Sequence, residues 1–572
     1  MKYDLLTKYS GNLNDSNILK DYPRPQLKRS SYLNLNGVWN YDINNTGVIP
    51  DFFDKEILVP FCVESYLSRV GRELKEKEYL FYKKEFIVDS DFIKEITLLH
   101  FEAVDQICEV YLNGIYVGNN EGGYLPFFFD ISDKLIIGNN VLIVKVKDEL
   151  SVDYPYGKQS KKRGGMWYTP VSGIWGSVWL ESVNKNYIKN IKLTPDIDKE
   201  KIKIEIDSDG KEFDIEIKDA GKMIYKNKVK ENYVEVKVDN PKLWSPDTPF
   251  LYDLVISSEN DVVESYFAMR KFSVNDKYFY LNNMPYFVNG VLDQGYFSDG
   301  IYTPSSYEVY KDDILKMKEL GFNTLRKHIK IEPKIFYYYC DLYGMLVIQD
   351  MVNVGKYSFF KHTALPTVGF KKMIGKNVTG VQKDNFIKYT KQTIEYLYNY
   401  PSIVCYTIFN EGWGQFESDK LYDIVKEIDD TRVIDSTSGW FKGRKSDVES
   451  LHIYFKSIKL KKSNKPLFVS EFGGYSCKIK EHSFNEDKTY GYRKYNDIKK
   501  FENDFVKLYT NEVLSNLANG LAGTIYTQLS DVEDEVNGLL TYDRKVCKVS
   551  VSKVKKVMND IIKEFEKCES NL

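Results

Sequence analysis

The chain is predicted to be a multidomain β plus α/β protein, two β-sandwiches followed by a C-terminal (β/α)8 barrel. Three observations carry this. Residues 1 to about 185, and again 186 to about 274, consist of short β-branched and aromatic runs separated by turn residues, with no helical periodicity of useful length. From about residue 275 the rhythm becomes strand, helix, strand, and eight such β units fit before residue 572. A chain of 572 residues also exceeds what one hydrophobic core supports and suggests about three or four domains. The implied domains are 1–185, 186–274 and 275–572.

The elements follow in order. In the first zone FYKKEFIV (81–88), EITLLHFEAV (95–104), ICEVYLNGIYVG (107–118) and NVLIVKVKD (140–148) read as strands, and Asn113-Gly114 between two of them is a strong hairpin signal. The second zone alternates apolar with charged residues, as in IKIEIDSDGKEFDIEIKDAG, so its outer faces are expected to be solvated. PKLWSPDTP (241–249) reads as a connection between its strands. The barrel strands are expected at 286–291, 322–329, 345–351, 403–411, 432–439, 450–454, 467–474 and 523–531. Helices are expected at 305–321 and 385–399, and the Lys-rich tail 550–569 reads as the closing amphipathic barrel helix.

Composition narrows the function classes. With 80 Lys+Arg against 82 Asp+Glu the formal charge is −2, which offers no field for gathering nucleic acid or an acidic membrane surface. The aromatic load, 45 Tyr, 33 Phe and 7 Trp, excludes a disordered scaffold. The N-terminus has no apolar core of signal-peptide type and no apolar run reaches about 18 residues, so a cytoplasmic protein without membrane spans is expected. The seven cysteines are scattered and form no CxxC pair, and the five histidines form no HExxH, so buried reduced thiols, no metal and no cofactor are expected. No GxxxxGK, GxSxG or GxGxxG is present. Asn377-Val378-Thr379 fits a glycosylation acceptor and is read as chance.

Two glutamates stand out. The fourth barrel strand ends in Asn410-Glu411-Gly412-Trp413-Gly414, and the seventh delivers Ser470-Glu471-Phe472-Gly473-Gly474. In a (β/α)8 barrel the polar residues at strand C-termini face the mouth. Strands four and seven face each other across it, so two carboxyl groups there suit either side of a glycosidic bond. A gap of about 5 Å would mean a retaining reaction, one of about 6.5–9.5 Å an inverting one.

On these residues the chain resembles glycoside hydrolase family 2, the family of β-galactosidases, β-glucuronidases and β-mannosidases. LNGVWNY (35–41), FEAVDQICEVYLNGIYVGNNEGGYLPFFFDIS (101–132) and WYTPVSGIWGSVWLESV (167–183) are similar to its N-terminal sugar-binding jelly-roll β-sandwich. LWSPDTPFLYDL (243–254) and MRKFSV (269–274) are similar to its immunoglobulin-like β-sandwich. GFNTLRKHIKIEPKIFYYYCDLYGMLVIQD (321–350), IFNEGWG (408–414) and SEFGG (470–474) are similar to its TIM barrel.

The resemblance implies site roles. Glu411 matches the general acid/base and Glu471 the nucleophile. Asn410 corresponds to the residue that holds the sugar 2-hydroxyl. Arg326 is expected to orient Glu471, and His328 to contact sugar hydroxyls, although the element here is Arg-Lys-His and not Arg-x-x-His. Tyr454 matches the tyrosine that hydrogen-bonds the nucleophile, with His452 and Asp350 as neighbours. Trp413 and Trp440 are candidate stacking walls. Strand one is followed by Leu292-Asp293-Gln294-Gly295-Tyr296 and strand eight by Gln528-Leu529-Ser530-Asp531, where β-galactosidases carry histidines and a Trp. No Asn-x-Lys element of β-glucuronidase type follows strand eight. The acidic stretch DVEDEVNG (531–538) is expected to be a solvated loop, and 352–379 to shape the pocket.

Two readings result. The first is a retaining exo-β-glycosidase acting on a small oligosaccharide or β-glycoside, β-galactosidase-like on a neutral sugar, with β-glucuronide, β-mannoside or α-L-arabinopyranoside as alternatives. The second is a catalytically silent carbohydrate-binding protein on the same fold. A homo-oligomer is compatible with either.

Overall fold

The computed structural model of the chain describes residues 5–367, 369–370 and 377–570. It begins with a two-sheet sandwich. One sheet orders Lys55–Val59, Gly37–Asn44, Tyr79–Val88, Gly138–Lys147, Ile107–Leu112 and Ile115–Glu121, and the other Leu33–Asn34, Val178–Val183, Ile96–Phe101 and Phe127–Asp130. Alternation drives the packing: in Gly138–Lys147 every second residue from Asn140 to Val146 is buried, and Trp39, Tyr82, Phe101 and Val144 meet between the sheets. Asn113 and Gly114 take φ of 53° and 80°, both positive as a two-residue hairpin turn of this hand requires.

The second sandwich pairs a three-stranded sheet (Asn190–Asp196, Lys201–Asp207, Tyr233–Lys237) with a four-stranded one (Lys222–Val229, Phe213–Asp219, Tyr252–Ser257, Val262–Phe267). Most of its isoleucines and valines point inward, Ile224 and Val262 being exposed, and its lysines and glutamates point outward, as the alternation predicts.

The barrel follows. Its strands are β1 (Val288–Asp293), β2 (Thr324–Lys327), β3 (Leu346–Asp350), β4 (Ile403–Asn410), β5 (Val433–Ser438), β6 (Glu449–Ile453), β7 (Leu467–Gly473) and β8 (Leu521–Thr527). Each falls within or against a run expected from sequence. All pairings are parallel, in the order β5-β4-β3-β2-β1-β8-β7-β6. The central strands are buried on both faces, which is why they read as unbroken apolar runs. Between the edge strands β5 and β6 no backbone ladder forms among the described residues. Side chains bridge that seam: Ser438 Oγ lies 3.1 Å from Ser450 Oγ and 2.9 Å from Ser470 Oγ. The closing helix is Val551–Ser570, and Gly380–Leu397 starts with a Thr379–Gln382 capping box. Thr379, half of the apparent glycosylation triplet, is therefore a helix cap, and Asn377 donates to the Gly412 carbonyl at 3.2 Å.

Among the described residues no helix is long and apolar enough to cross a membrane. All seven cysteines are free, five of them buried. Residues 368 and 371–376 of the stretch expected to shape the pocket lie outside the described residues.

Candidate active site

The site is built from strand ends upward. β4 runs as Ile-Val-Cys-Tyr-Thr-Ile-Phe, wholly buried, and releases Asn410 and Glu411 at the mouth. Glu411 has φ of 52°, a left-handed conformation costly for a non-glycine residue, by about 1–3 kcal/mol. It is held there because its N–H donates to the Ser438 carbonyl at 2.9 Å and the chain then turns through Gly412 and Gly414. A Cβ on Gly412 would meet the Phe441 ring at 2.3 Å, and one on Gly414 the Val354 carbonyl at 2.5 Å. The Gly-Trp-Gly after Glu411 is thus required by close approach, and helix Ser418–Ile428 starts only after it.

Opposite stands Glu471 on β7, 4 % exposed. Arg326 of β2, fully buried, donates from Nη1 to Glu471 Oε1 at 3.0 Å, from Nη2 to Asn410 Oδ1 at 2.7 Å and from Nε to Asp350 Oδ1 at 3.0 Å. Tyr454 donates its hydroxyl to Glu471 Oε2 and lies 3.0 Å from Thr527 Oγ1. His452 Nδ1 sits 2.8 Å from Glu411 Oε1 and 3.5 Å from Glu471 Oε2, while its Nε2 faces Ser438 Oγ at 2.9 Å. Donor atoms of Glu411, His452 and Glu471 all lie within 4.8 Å of one another. His328 Nδ1 contacts Asp350 Oδ2 at 2.7 Å.

Burial alone would raise Glu471, but the charges of His452, Arg326 and His328 and the Tyr454 hydrogen bond outweigh it and hold the carboxyl well below its usual range. Burial is likewise outweighed at Asp350, which Arg326 and His328 pull down. Tyr454 moves the other way: burial and the Glu471 charge raise its phenol, so it stays a donor. Glu411 lies at the wall of an open cavity of about 620 Å³ with Trp440, His452, Tyr454, Phe455, Tyr490 and Tyr492, and Met166 of the first sandwich reaches the same cavity.

The predicted residues therefore separate into two groups. Glu411, Glu471, Asn410, Arg326, His328, Asp350, His452 and Tyr454 form one bonded network. Trp440 lines the cavity, its Nε1 donating to the His362 carbonyl at 2.9 Å. Trp413 is 2 % exposed, packed on Trp167 and Tyr156, with its Nε1 on the Gly355 carbonyl at 2.9 Å; it supports the rim and is not among the residues lining that cavity. Gln528 is fully buried between Gln294 and Asn537 and does not line it either.

The expectation of a solvated acidic loop at 531–538 is overturned. Asp531, Glu533, Asp534 and Glu535 are 1 %, 3 %, 7 % and 5 % exposed. Asp531 pairs with Lys548 at 2.6 Å, Glu533 accepts the Thr169 N–H at 2.7 Å, and Glu535 takes the Tyr168 hydroxyl and the Asn537 amide. Burial pushes Asp531 up to about 6 and Glu533 up to about 7. The first sandwich covers this loop, a contact between distant parts of the chain that local pattern does not reveal. Lys158, on the same covering segment, also escaped the sequence reading. The local signal was a Lys inside Gly157-Lys158-Gln159, with glycines at 164 and 165 marking a tight loop.

Two β-sandwiches thus precede a TIM barrel, and two carboxylates face each other at its mouth. The chain belongs to glycosyl hydrolases family 2: profiles described as the family's sugar binding domain, as glycosyl hydrolases family 2 itself and as the family's TIM barrel domain match residues 72–183, 181–270 and 272–562. Among curated relatives, a β-galactosidase of Thermoanaerobacter pseudethanolicus is 28% identical over 357 residues, 56% of this chain and 46% of the relative. A β-galactosidase of Leuconostoc mesenteroides is 26% identical over 438 residues (68% and 40%), and a putative β-glucuronidase of Formosa agariphila 24% over 456 (71% and 51%). The chain thus spans about half the length of these relatives or less. Among solved structures, a β-D-glucuronidase from Dictyoglomus thermophilum aligns with a TM-score of 0.76 at 20% identity, covering 94% of this chain and 98% of that one. At this identity the likeness shows the fold.

Proposed function

We propose that the chain is a retaining exo-β-glycosidase that removes a terminal β-linked sugar by double displacement. The observation that carries the reading is the pair Glu411 and Glu471, each offering a carboxylate oxygen within 4.8 Å of the other, a close approach that supports a retaining over an inverting site. Glu471, kept ionised by its cations and by Tyr454, attacks the anomeric carbon. The departing oxygen takes the proton of Glu411, and the resulting Glu411 carboxylate draws a proton from the water that releases the sugar. Arg326 takes the oxygen of Asn410 and so leaves the Asn410 NH₂ as the donor for the sugar 2-hydroxyl. His452, between the two carboxylates, has its ring fixed from behind by Ser438.

On the glycone, a β-galactosidase-like specificity for a neutral sugar follows the names of two of the curated relatives. One observation favours a uronide as a second reading: the acidic loop is buried and bonded internally, so it does not present a row of free charges to a sugar carboxylate. The test is a panel of nitrophenyl β-D-galactoside, glucuronide, mannoside, glucoside and α-L-arabinopyranoside. Glu471→Ala should abolish turnover with the fold intact. Glu411→Ala should retain reaction with good leaving groups and yield a β-glycosyl azide when azide is added. Retained activity in Glu471→Ala, or an α-azide, would refute the assignment.

A further inference from the structure

The first sandwich sends the segment 154–169 over the barrel mouth, and the placement of this segment is fixed at several points. Tyr156 donates its hydroxyl to the Gly355 carbonyl at 2.9 Å, and Gln159 Nε2 donates to Asp105 Oδ2 at 2.8 Å while its Oε1 accepts the Val171 N–H at 2.7 Å. The Tyr168 N–H donates to the Lys158 carbonyl at 3.0 Å. Gly157 has φ of 63°, and a Cβ there would strike the Tyr124 hydroxyl at 2.6 Å and the Ile329 carbonyl, just beyond β2, at 3.0 Å. The backbone is therefore pressed against the end of the strand that carries Arg326.

The next residue is Lys158. It is 9 % exposed, and its Nζ stands over the face of Trp167 at 5.6 Å. Among the described residues its Nζ makes no hydrogen bond or ion pair. A fully buried ammonium needs acceptors, whereas the Lys158 Nζ ends a covered stem without being cut off from solvent and stands as a free donor. Other buried lysines of the barrel follow the rule: Lys327 pairs with Asp293 at 2.6 Å, Lys330 with Glu332 at 2.9 Å and Lys548 with Asp531 at 2.6 Å. The charge of Lys158 is nonetheless felt at both flanks of the nucleophile, since it contributes to the lowering of His328 and works against the raising of Glu535 by burial. Both acidic oxygens of Glu535 are already occupied, by Tyr168 and Asn537, so they do not satisfy the lysine.

We propose that Lys158 is a substrate-binding residue lent to the barrel by the first sandwich, its ammonium donating to an oxygen substituent of the non-reducing sugar. This rests on the glycosidase reading above. The acceptor is a carboxylate or a hydroxyl, and both are oxygen acceptors that an unpartnered ammonium over an aromatic face would hold. The geometry also explains why the segment is anchored so firmly: a donor must be placed before the ligand arrives if binding is not to be spent on ordering it.

The experiment compares wild type with Lys158→Met, which keeps length and apolar stem, and with Lys158→Arg, which keeps the charge. On the best substrate of the nitrophenyl panel, Lys158→Met should lose about 10- to 100-fold in kcat/KM, the range of a hydrogen bond to a charged group, with an unchanged unfolding temperature and partial recovery in Lys158→Arg. A loss concentrated on the glucuronide assigns a carboxylate acceptor, and an equal loss on glucuronide and galactoside assigns a hydroxyl. Wild-type kinetics in Lys158→Met on every glycoside would overturn the proposal. If wild type cleaves none of the panel, the glycosidase reading fails separately. Tryptophan fluorescence titration with glucuronate and galactose then decides Lys158, weaker binding by Lys158→Met supporting the assignment and equal or absent binding by both proteins overturning it.

Discussion

Tyr454→Phe tests the electrostatics of Glu471 directly. The substitution removes one hydroxyl, the donor to Glu471 Oε2, and leaves Arg326 on Oε1. Glu471 is 4 % exposed, so solvent screens the lost bond little. A hydrogen bond to a charged group is worth about 1.5–3 kcal/mol, and 1.36 kcal/mol corresponds to one pH unit, so the Glu471 titration should rise by about 1–2 pH units. In wild type the carboxyl titrates well below its ordinary value near 4.5, and the acidic limb of kcat/KM, which reports the free enzyme, lies correspondingly low. The sign for stability follows from linkage. A depressed folded-state pKa contributes stability that is present above the ordinary value and is lost as pH falls through the folded value. Tyr454→Phe should therefore both raise the acidic limb and make the protein more acid-labile. The assay is kcat/KM against pH on a nitrophenyl β-glycoside, paired with thermal unfolding across the acid range. An acidic limb that stays in place while the rate falls would refute the reasoning, because the hydroxyl would then act on the sugar and not on the Glu471 charge.

Two further outcomes are expected. Glu64, fully buried and pushed up to about 8 by burial, gives the opposite linkage: its contribution is present below the ordinary carboxylate value and is lost as pH rises through about 8. Glu64→Gln should therefore leave the unfolding temperature at mildly acid pH near wild type and raise it at alkaline pH, as differential scanning calorimetry at the two pH values would show. Gly412→Ala forces a Cβ to within 2.3 Å of the Phe441 ring at φ of 73°, so the turn carrying Glu411 must shift; a misplacement of about 1 Å should lower kcat by roughly 100-fold, read from steady-state kinetics alongside a circular dichroism check of the fold.

Much of this molecule was legible in the sequence because local patterns dominate it. Seven of the eight barrel strands, all but β6, are buried along their whole length; the longer of them appear as apolar runs, and the polar residues near their ends, Asn410-Glu411 and Glu471, stand out against that background. Arg326, Asp350 and Tyr454 were legible through the resemblance to glycoside hydrolase family 2, and each lies at or next to a strand end. What was not legible depends on contacts between distant segments. The acidity of 531–538 reads as solubility until Thr169, Tyr168 and Lys548 are seen to cover it. Trp413 and Trp440 are equivalent as sequence, yet one is packed under the rim by Trp167 and Tyr156 while the other faces the cavity. Lys158 belongs to a β-domain whose own pattern points only to a sandwich.

The two sandwiches grip β4, the strand that leads to Glu411, from opposite ends. At the lower end, Arg270 of the second sandwich donates to the Pro401 and Ile403 carbonyls, each at 2.8 Å, and Ile403 is the first residue of β4. Trp244 donates to the Asp341 carbonyl at 2.8 Å, while the Asp341 carboxylate accepts the Tyr266 hydroxyl and the Ser402 N–H. These bonds fix where β4 begins. At the upper end, Met166 and the segment around Trp167 close on the turn that follows Glu411, through Trp167 against Trp413 at 5.1 Å. Glu411 sits in a strained left-handed conformation, and such a residue keeps its place only where its surroundings over-determine it. A barrel alone would leave one end of β4 unheld and the mouth open on one side. The sandwiches are therefore part of the scaffold of the candidate site, and a barrel cut out at residue 275 would lose both anchors of the strand that carries Asn410 and delivers Glu411 just beyond it.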